Sequence, residues 1–279
     1  MKTIKVIDSE VRVVNPEADN YAKTFHNEGV ILDIYKKTTT EINFKKWRYE
    51  FLFNEMHLAG IEKAIVSGLA WHDPQLQELN NDYVHKTILL SEGKLKGFFI
   101  PPINLPIGKV LKIIENLDWS KYIGIELIPK WQKINLNEER YRPLFKLLES
   151  INKYIKVYTC HLTQKFSGNT PQQTFELITK YPNNKFVIPH LGGLLPIYAL
   201  DERYKKIITN TIFLGSTSST MIMNKLCLEV FEDNILFASD FPFNHCFSIK
   251  EVLSISKSMG IENTLLNKFL YNNAVQNFW

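Results

Sequence analysis

Short, apolar, β-rich runs recur along the chain, and a longer stretch with helical spacing follows most of them. Eight such runs stand out, at 4–7, 63–67, 96–100, 122–127, 155–160, 185–188, 211–214 and 234–238. Several are nearly continuous apolar segments (AIV, GFFI, KFVI, ILF), the pattern of parallel strands buried on both faces. The stretches 43–59, 107–116, 137–153, 171–181, 220–231 and 248–259 have helical spacing, and several open at a capping residue or Pro and close at Gly or before Pro. The C-terminal stretch 261–279 reads as two short helices split near Asn272 and Asn273. Eight strand-then-helix units predict an α/β fold, a (β/α)8 TIM barrel, in which eight parallel strands close without an unpaired edge. An open doubly wound sheet is the alternative. The chain has neither a GxGxxG turn after its first strand nor a GK[ST] loop, the nucleotide signatures such sheets carry.

Composition narrows the picture further. A chain of 279 residues, 45% hydrophobic and 22% charged, has apolar material for a sizeable core, and a single barrel domain over 1–279 accounts for its length. Lys and Arg (33) exceed Asp and Glu (29) by four, with the basic pairs scattered, so no nucleic-acid footprint is expected. Three cysteines without a CxxC pair fit a reducing compartment, and the expected location is cytoplasmic. The opening MKTIKVIDSEVRVV carries charges where a signal peptide needs an apolar run, and no window reaches the roughly 18 apolar residues of a membrane span.

In a barrel the reactive groups lie at the C-terminal ends of the strands. There the chain places Glu10 and Arg12 (IDSEVR), Cys160 and His161 (VYTCHL), His190 (FVIPHLGG) and Asp240 (ILFASDFPF). Glu10 and Arg12 share one side of an extended chain, since side chains alternate with period two. Two carboxylates and two imidazoles are a donor set for a divalent Zn or Mn ion. The same groups also suit metal-free chemistry, with Asp240 as general base, His190 as proton donor or electrophile and Arg12 as a clamp on an anionic oxygen. Glu10 and Arg12 could equally be an ion pair filling the mouth. Trp71 and His72 (LAWHDP) and His245 (FPFNHC) follow strand ends and are candidates for contact with a small-molecule substrate, and the long segment 15–46 is expected over the mouth.

At these residues the sequence resembles the amidohydrolase-related family of metal-dependent barrels that includes aminocarboxymuconate semialdehyde decarboxylase and the resorcylate-type decarboxylases. The resemblance runs over most of the chain. It rests on IDSEVR, GIEKAIVSG, YIGIELIP, RYRPLFKLLESINKYIKVYTCHL, KYPNNKFVIPHLGG, ILFASDFPF and NKFLYNNAVQNFW. It implies Glu10 and His161 as metal ligands, Asp240 as ligand and base, and His190 as the catalytic imidazole. The reaction it implies is hydrolysis of a C–N or C–O bond, or decarboxylation, of a small anionic substrate; Glu10, in an ExH-like position, tilts towards decarboxylation. Three departures stand out. Arg12 takes the place of the second metal-binding His, and a guanidinium has no lone pair to give. Glu126 stands where many relatives carry Lys in a GxKxxP pattern and is a further candidate at the substrate, and Cys160 competes with His161 for the ligand position. The readings left open are a metal enzyme, a metal-free variant in which Arg12 replaces the ion, and a binding barrel without catalysis. Dimerisation is common in the family, and no segment here specifies a homodimer.

Overall fold

The computed structural model describes residues 4–24, 28–29, 44–159, 169–215, 221–243 and 249–279. Its eight strands are β1 (Ile7–Arg12), β2 (Lys63–Ser67), β3 (Leu95–Phe99), β4 (Tyr122–Leu127), β5 (Tyr154–Val157), β6 (Lys185–Ile188), β7 (Ile212–Gly215) and β8 (Ile235–Phe237). They form one parallel sheet in sequence order. Past the end of β8 the chain returns to β1: Asp240 N–H donates to the Glu10 carbonyl at 3.1 Å and Arg12 N–H to the Phe241 carbonyl at 2.8 Å. The expected (β/α)8 barrel is the architecture found.

Strand alternation sorts the residues. Ile125 and Leu127 of β4, and Ile155 and Val157 of β5, pack into the layer between strands and helices. The residues between them therefore point into the barrel. Inside, Ile7, Ile65, Phe98, Ile123, Val187 and Leu236 fill the lower part together with Ala274 and Phe278 of the last helix, Asn273–Phe278. A separate apolar cluster that includes Trp47, Trp71, Ile100, Ile128 and Trp131 lies at the opposite, C-terminal end.

Three local features differ from the pattern read in the sequence. The first strand is Ile7–Arg12 rather than 4–7, and β1 carries one extra residue between Asp8 and Val11 relative to β2. Its three charged residues read as a strand exit, yet all are buried: Glu10 and Arg12 meet charges on other strands, and Asp8 accepts from backbone N–H groups. The helix Pro74–Leu90 is not marked by an apolar stripe, since its buried face includes Gln77, Asn80, Asn81 and Thr87. The two C-terminal helices are joined by a π-helical turn, Lys268–Asn272. No helix among the described residues is long and apolar enough to cross a membrane.

Candidate active site

Three strands deliver a cluster of four charged side chains to the barrel's interior. Arg12 of β1 donates to Glu126 of β4 through both terminal nitrogens, at 2.6 and 3.3 Å, and to Glu10 Oε1 at 3.0 Å. Its Nη1 also reaches the Ser67 hydroxyl at 3.1 Å and the Gly68 carbonyl at 2.9 Å. Lys156 of β5 lies 2.6 Å from the same Glu10 oxygen and 3.3 Å from Glu126 Oε1. Glu126 and Lys156 are register partners on adjacent strands. Two cations thus balance two carboxylates with essentially no solvent contact, and such a group is stable only when its charges meet each other in good geometry. Burial would raise Glu10, but Lys156, Arg12 and His190 together hold it down to about 2. Glu126 is likewise held below the usual carboxylate range by Arg12 and Lys156 despite its burial.

His190 and Asp240 reach the same place through unusual backbone. Both are non-glycine residues in the left-handed region, at φ 54° and 56°, and Leu191 beside His190 is at φ 54°. A left-handed non-glycine residue costs about 1–3 kcal/mol and persists only where its surroundings fix it. For Asp240 the surroundings are the hydrogen bond to the Glu10 carbonyl and the Phe243 N–H that donates to its own carbonyl at 2.9 Å. The His190 ring meets Tyr158 edge-on, with centroids 5.0 Å apart. Glu10, His190 and Asp240 offer one ligand atom each, all within 4.8 Å of one another. Burial first, and then the charge of Glu10, push Asp240 well above its ordinary range. Behind it, Asp8 accepts from Ser239 N–H at 2.9 Å and Glu10 N–H at 3.2 Å, and burial raises it to about 7.

The donor set fits a divalent cation. Two oxygens and an imidazole suit Zn or Mn, and the buried Glu10 Oε2 and Asp240 Oδ1 have no hydrogen-bond partner among the described residues. Arg12 and Lys156 both act on the other Glu10 oxygen.

Among the other expected residues, Glu126 has its oxygens engaged by Arg12 and Lys156. Arg12 has both terminal nitrogens engaged by protein acceptors rather than open as a clamp. Trp71 is buried in the mouth cluster, and its indole N–H has no partner among the described residues. His72 is tied into the wall: its Nδ1 lies 2.9 Å from Asn104 Nδ2 and 3.1 Å from the Gln132 carbonyl, and its backbone N–H donates to Glu28 at 2.8 Å. Of the segment 15–46, Glu28 makes this bond, and Ala18 and Tyr21 pack in the mouth cluster, with the Tyr21 ring 6.0 Å from that of Trp71. His161, Cys160 and His245 lie outside the described residues. Sequence reasoning missed Lys156 and Asp8. Lys156 was legible in Ile155-Lys156-Val157, where outward apolar neighbours force the lysine inward. Around the site, Trp47 and Trp131 meet the Phe243 ring at 4.7 and 6.0 Å, and the Arg12 guanidinium lies 5.9 Å from that ring's centroid.

No family model and no curated protein sequence matches the chain. Solved structures do. A 5-carboxyvanillate decarboxylase from Sphingomonas paucimobilis is 14% identical with a TM-score of 0.81 over 99% of each chain. A 5-carboxyvanillate decarboxylase from Novosphingobium aromaticivorans, in complex with manganese and 4-hydroxy-3-methoxy-5-nitrobenzoic acid, is 18% identical with a TM-score of 0.78, over 98% of this chain and 95% of that one. A dihydroxybenzoic acid decarboxylase from Polaromonas sp. JS666, with bound manganese and 2-nitroresorcinol, is 16% identical with a TM-score of 0.72, over 99% of this chain and 97% of that one. At these identities the likeness shows the fold, an eight-stranded barrel matched along nearly the whole chain.

Proposed function

We propose that the chain is an enzyme of the amidohydrolase-related barrels and catalyses non-oxidative decarboxylation of a small aromatic carboxylate, using one divalent cation. The observation that carries this reading is the gathering of Glu10, His190 and Asp240 within 4.8 Å at the mouth end of the barrel, beside Tyr158 and Phe243. The decarboxylases of the same fold, two of them with manganese, support it. Glu10 Oε2, Asp240 and His190 would hold the cation, which when bound supplies a Lewis acid for the substrate's carboxylate.

The chain's own groups do the rest. Lys156 and Arg12 fix Glu10 in its ionised form and in one orientation. The aromatic walls take the ring and keep out water, and the Trp71 indole N–H, without a partner among the described residues, is a donor available to a ring substituent. Asp240 has two oxygens, so it can serve as a ligand through one and carry a proton on the other. As the carbon–carbon bond breaks, carbon dioxide leaves, the electron pair stays on the ring carbon, and that carbon takes the Asp240 proton. Water then returns a proton to Asp240.

The test is carbon dioxide release from a panel of hydroxylated benzoates by protein loaded with manganese or zinc. Turnover of at least one, lost by about 10²-fold or more in Asp240→Asn, is expected. Hydrolysis of amide or ester substrates with no carbon dioxide release would overturn the decarboxylase reading. Ligand binding that survives Asp240→Asn without any turnover would make the barrel a binding protein.

A further inference from the structure

The N-terminal end of the barrel carries a feature the mouth does not use. Lys63 opens β2, Lys96 is the second residue of β3, Lys153 directly precedes β5 and Lys185 opens β6. All four are half-buried. Among the described residues no carboxylate forms an ion pair with any of them. They lie instead against rings and carbonyls. Lys63 and Lys96 are 4.9 and 5.5 Å from the Trp279 ring centroid, Lys153 is 5.0 Å from that of Trp119 and Lys185 is 5.5 Å from that of Tyr154. Lys96 donates to the Phe278 carbonyl at 2.8 Å, and Lys153 approaches the Trp119 carbonyl at 3.5 Å.

Lys96, Lys153 and Lys185 line one cavity of about 230 Å³ together with Ser120, Asn152 and Asn277, and no acidic residue lines it. Cations this close to each other cost free energy. Burial lowers Lys96, and the charges of Lys63 and Lys153 lower it further; burial and then Lys185 do the same to Lys153. Outside this face, the lysines in ion pairs, such as Lys5, Lys180 and Lys268, have carboxylates beside them. The cluster is therefore positive charge held in a concave, half-dry place with no ion-paired carboxylate among the described residues.

We propose that this cavity binds a compact, multiply charged anion of the phosphate class. Three ammonium groups need an anion carrying at least two charges, and compact ammonium groups suit phosphate oxygens as point charges. The hydroxyl of Ser120 and the amides of Asn152 and Asn277 supply neutral hydrogen-bonding groups at its edge, and the enclosed volume admits a pyrophosphate or the phosphoryl end of a small ester rather than a nucleic-acid strand.

The test is calorimetric titration of the full-length protein with pyrophosphate, inorganic phosphate and glycerol phosphate at constant ionic strength. Saturable binding at one site is expected for at least one of them, weakened tenfold or more in the Lys153→Gln/Lys185→Gln double variant and unchanged in Asp240→Asn. Tighter binding of pyrophosphate makes the free inorganic anion the ligand; tighter binding of glycerol phosphate makes it an ester. The charge-preserving pair Lys153→Arg/Lys185→Arg keeps binding within a few fold, which separates lost charge from a damaged fold. No saturable binding, equal affinity in the Gln and native proteins, or loss of binding in Asp240→Asn would overturn the proposal.

Discussion

Glu10 sits where two kinds of chemistry meet. One of its oxygens is engaged by Arg12 and Lys156, while the other, without a hydrogen-bond partner among the described residues, belongs to the group formed with His190 and Asp240. Removing one partner from a buried charge cluster leaves another charge uncompensated and costs about 3–5 kcal/mol. Lys156→Met is therefore expected to lower unfolding free energy in urea by that order; a loss below about 1 kcal/mol would mean that Arg12 alone suffices. Asp8 supplies a pH-dependent counterpart. Its carboxyl is raised from 3.8 to about 7, so the folded state holds its proton more tightly than the unfolded one. The stability this gives is complete below about pH 4 and is lost as pH rises through 7. Asn keeps the carbonyl that accepts from Ser239 and Glu10, so the stability difference between native protein and Asp8→Asn should shift against the native protein by up to about 4 kcal/mol between pH 4 and 8. Urea unfolding at both pH values reads this, and parallel curves would contradict it. Glu10 has the opposite sign, since its contribution is present above the ordinary glutamate range and fades as pH falls through about 2. At this scale Glu10, Arg12, His190 and Asp240 were legible because strand ends announce them. Asp8 was not, and Lys156 went unread although its apolar neighbours Ile155 and Val157 mark it as inward, because a charge inside a strand reads as solvent-facing until its surroundings are known.

The elements were legible where burial is two-sided. The runs in β2 and β6 match the predicted spans because apolar residues fill both faces there, and turn residues bound them. β1 was misplaced because its inward positions are ionic, and the helix Pro74–Leu90 went unmarked because it buries amides. Close approach between strands leaves its own mark at Gly124, paired with Tyr154: a Cβ there would clash with the Tyr154 carbonyl oxygen. Gly124→Ala should destabilise by about 1–3 kcal/mol or more through backbone displacement. Gly108, in the helix Ile107–Glu115, has nothing within 4 Å of such a Cβ, so Gly108→Ala should stabilise by roughly 0.5–1 kcal/mol. Thermal unfolding of the two variants tests the contrast, and similar melting temperatures would refute it.

The whole molecule has two functional ends around one barrel. The lower end is closed by the last helix, whose Phe278 meets Phe98 and Tyr154 edge-on at 6.3 and 5.2 Å. Phe278→Ala should therefore cost about 3–5 kcal/mol, read as an earlier urea midpoint, and an unchanged midpoint would show that the helix is not part of the core. Barrel topology could be read in advance because eight repeats of one pattern leave few ways to close. The substrate could not, because the loops at a barrel's mouth set specificity and carry no periodic pattern from which to read shape. The two ends differ in charge: cations meet carboxylates at the mouth, whereas among the described residues the lysines of the lower end have no carboxylate in an ion pair. The central claim is that Glu10, His190 and Asp240 form a cation site despite Arg12 and Lys156 beside it. Elemental mass spectrometry of protein purified without chelator, and again after incubation with manganese or zinc, tests it directly. About one equivalent of metal, lost in a folded Asp240→Asn variant, is the predicted result for a site of this donor set. No metal under either condition would contradict the account and leave Arg12 and Lys156 as the only cations the site accepts.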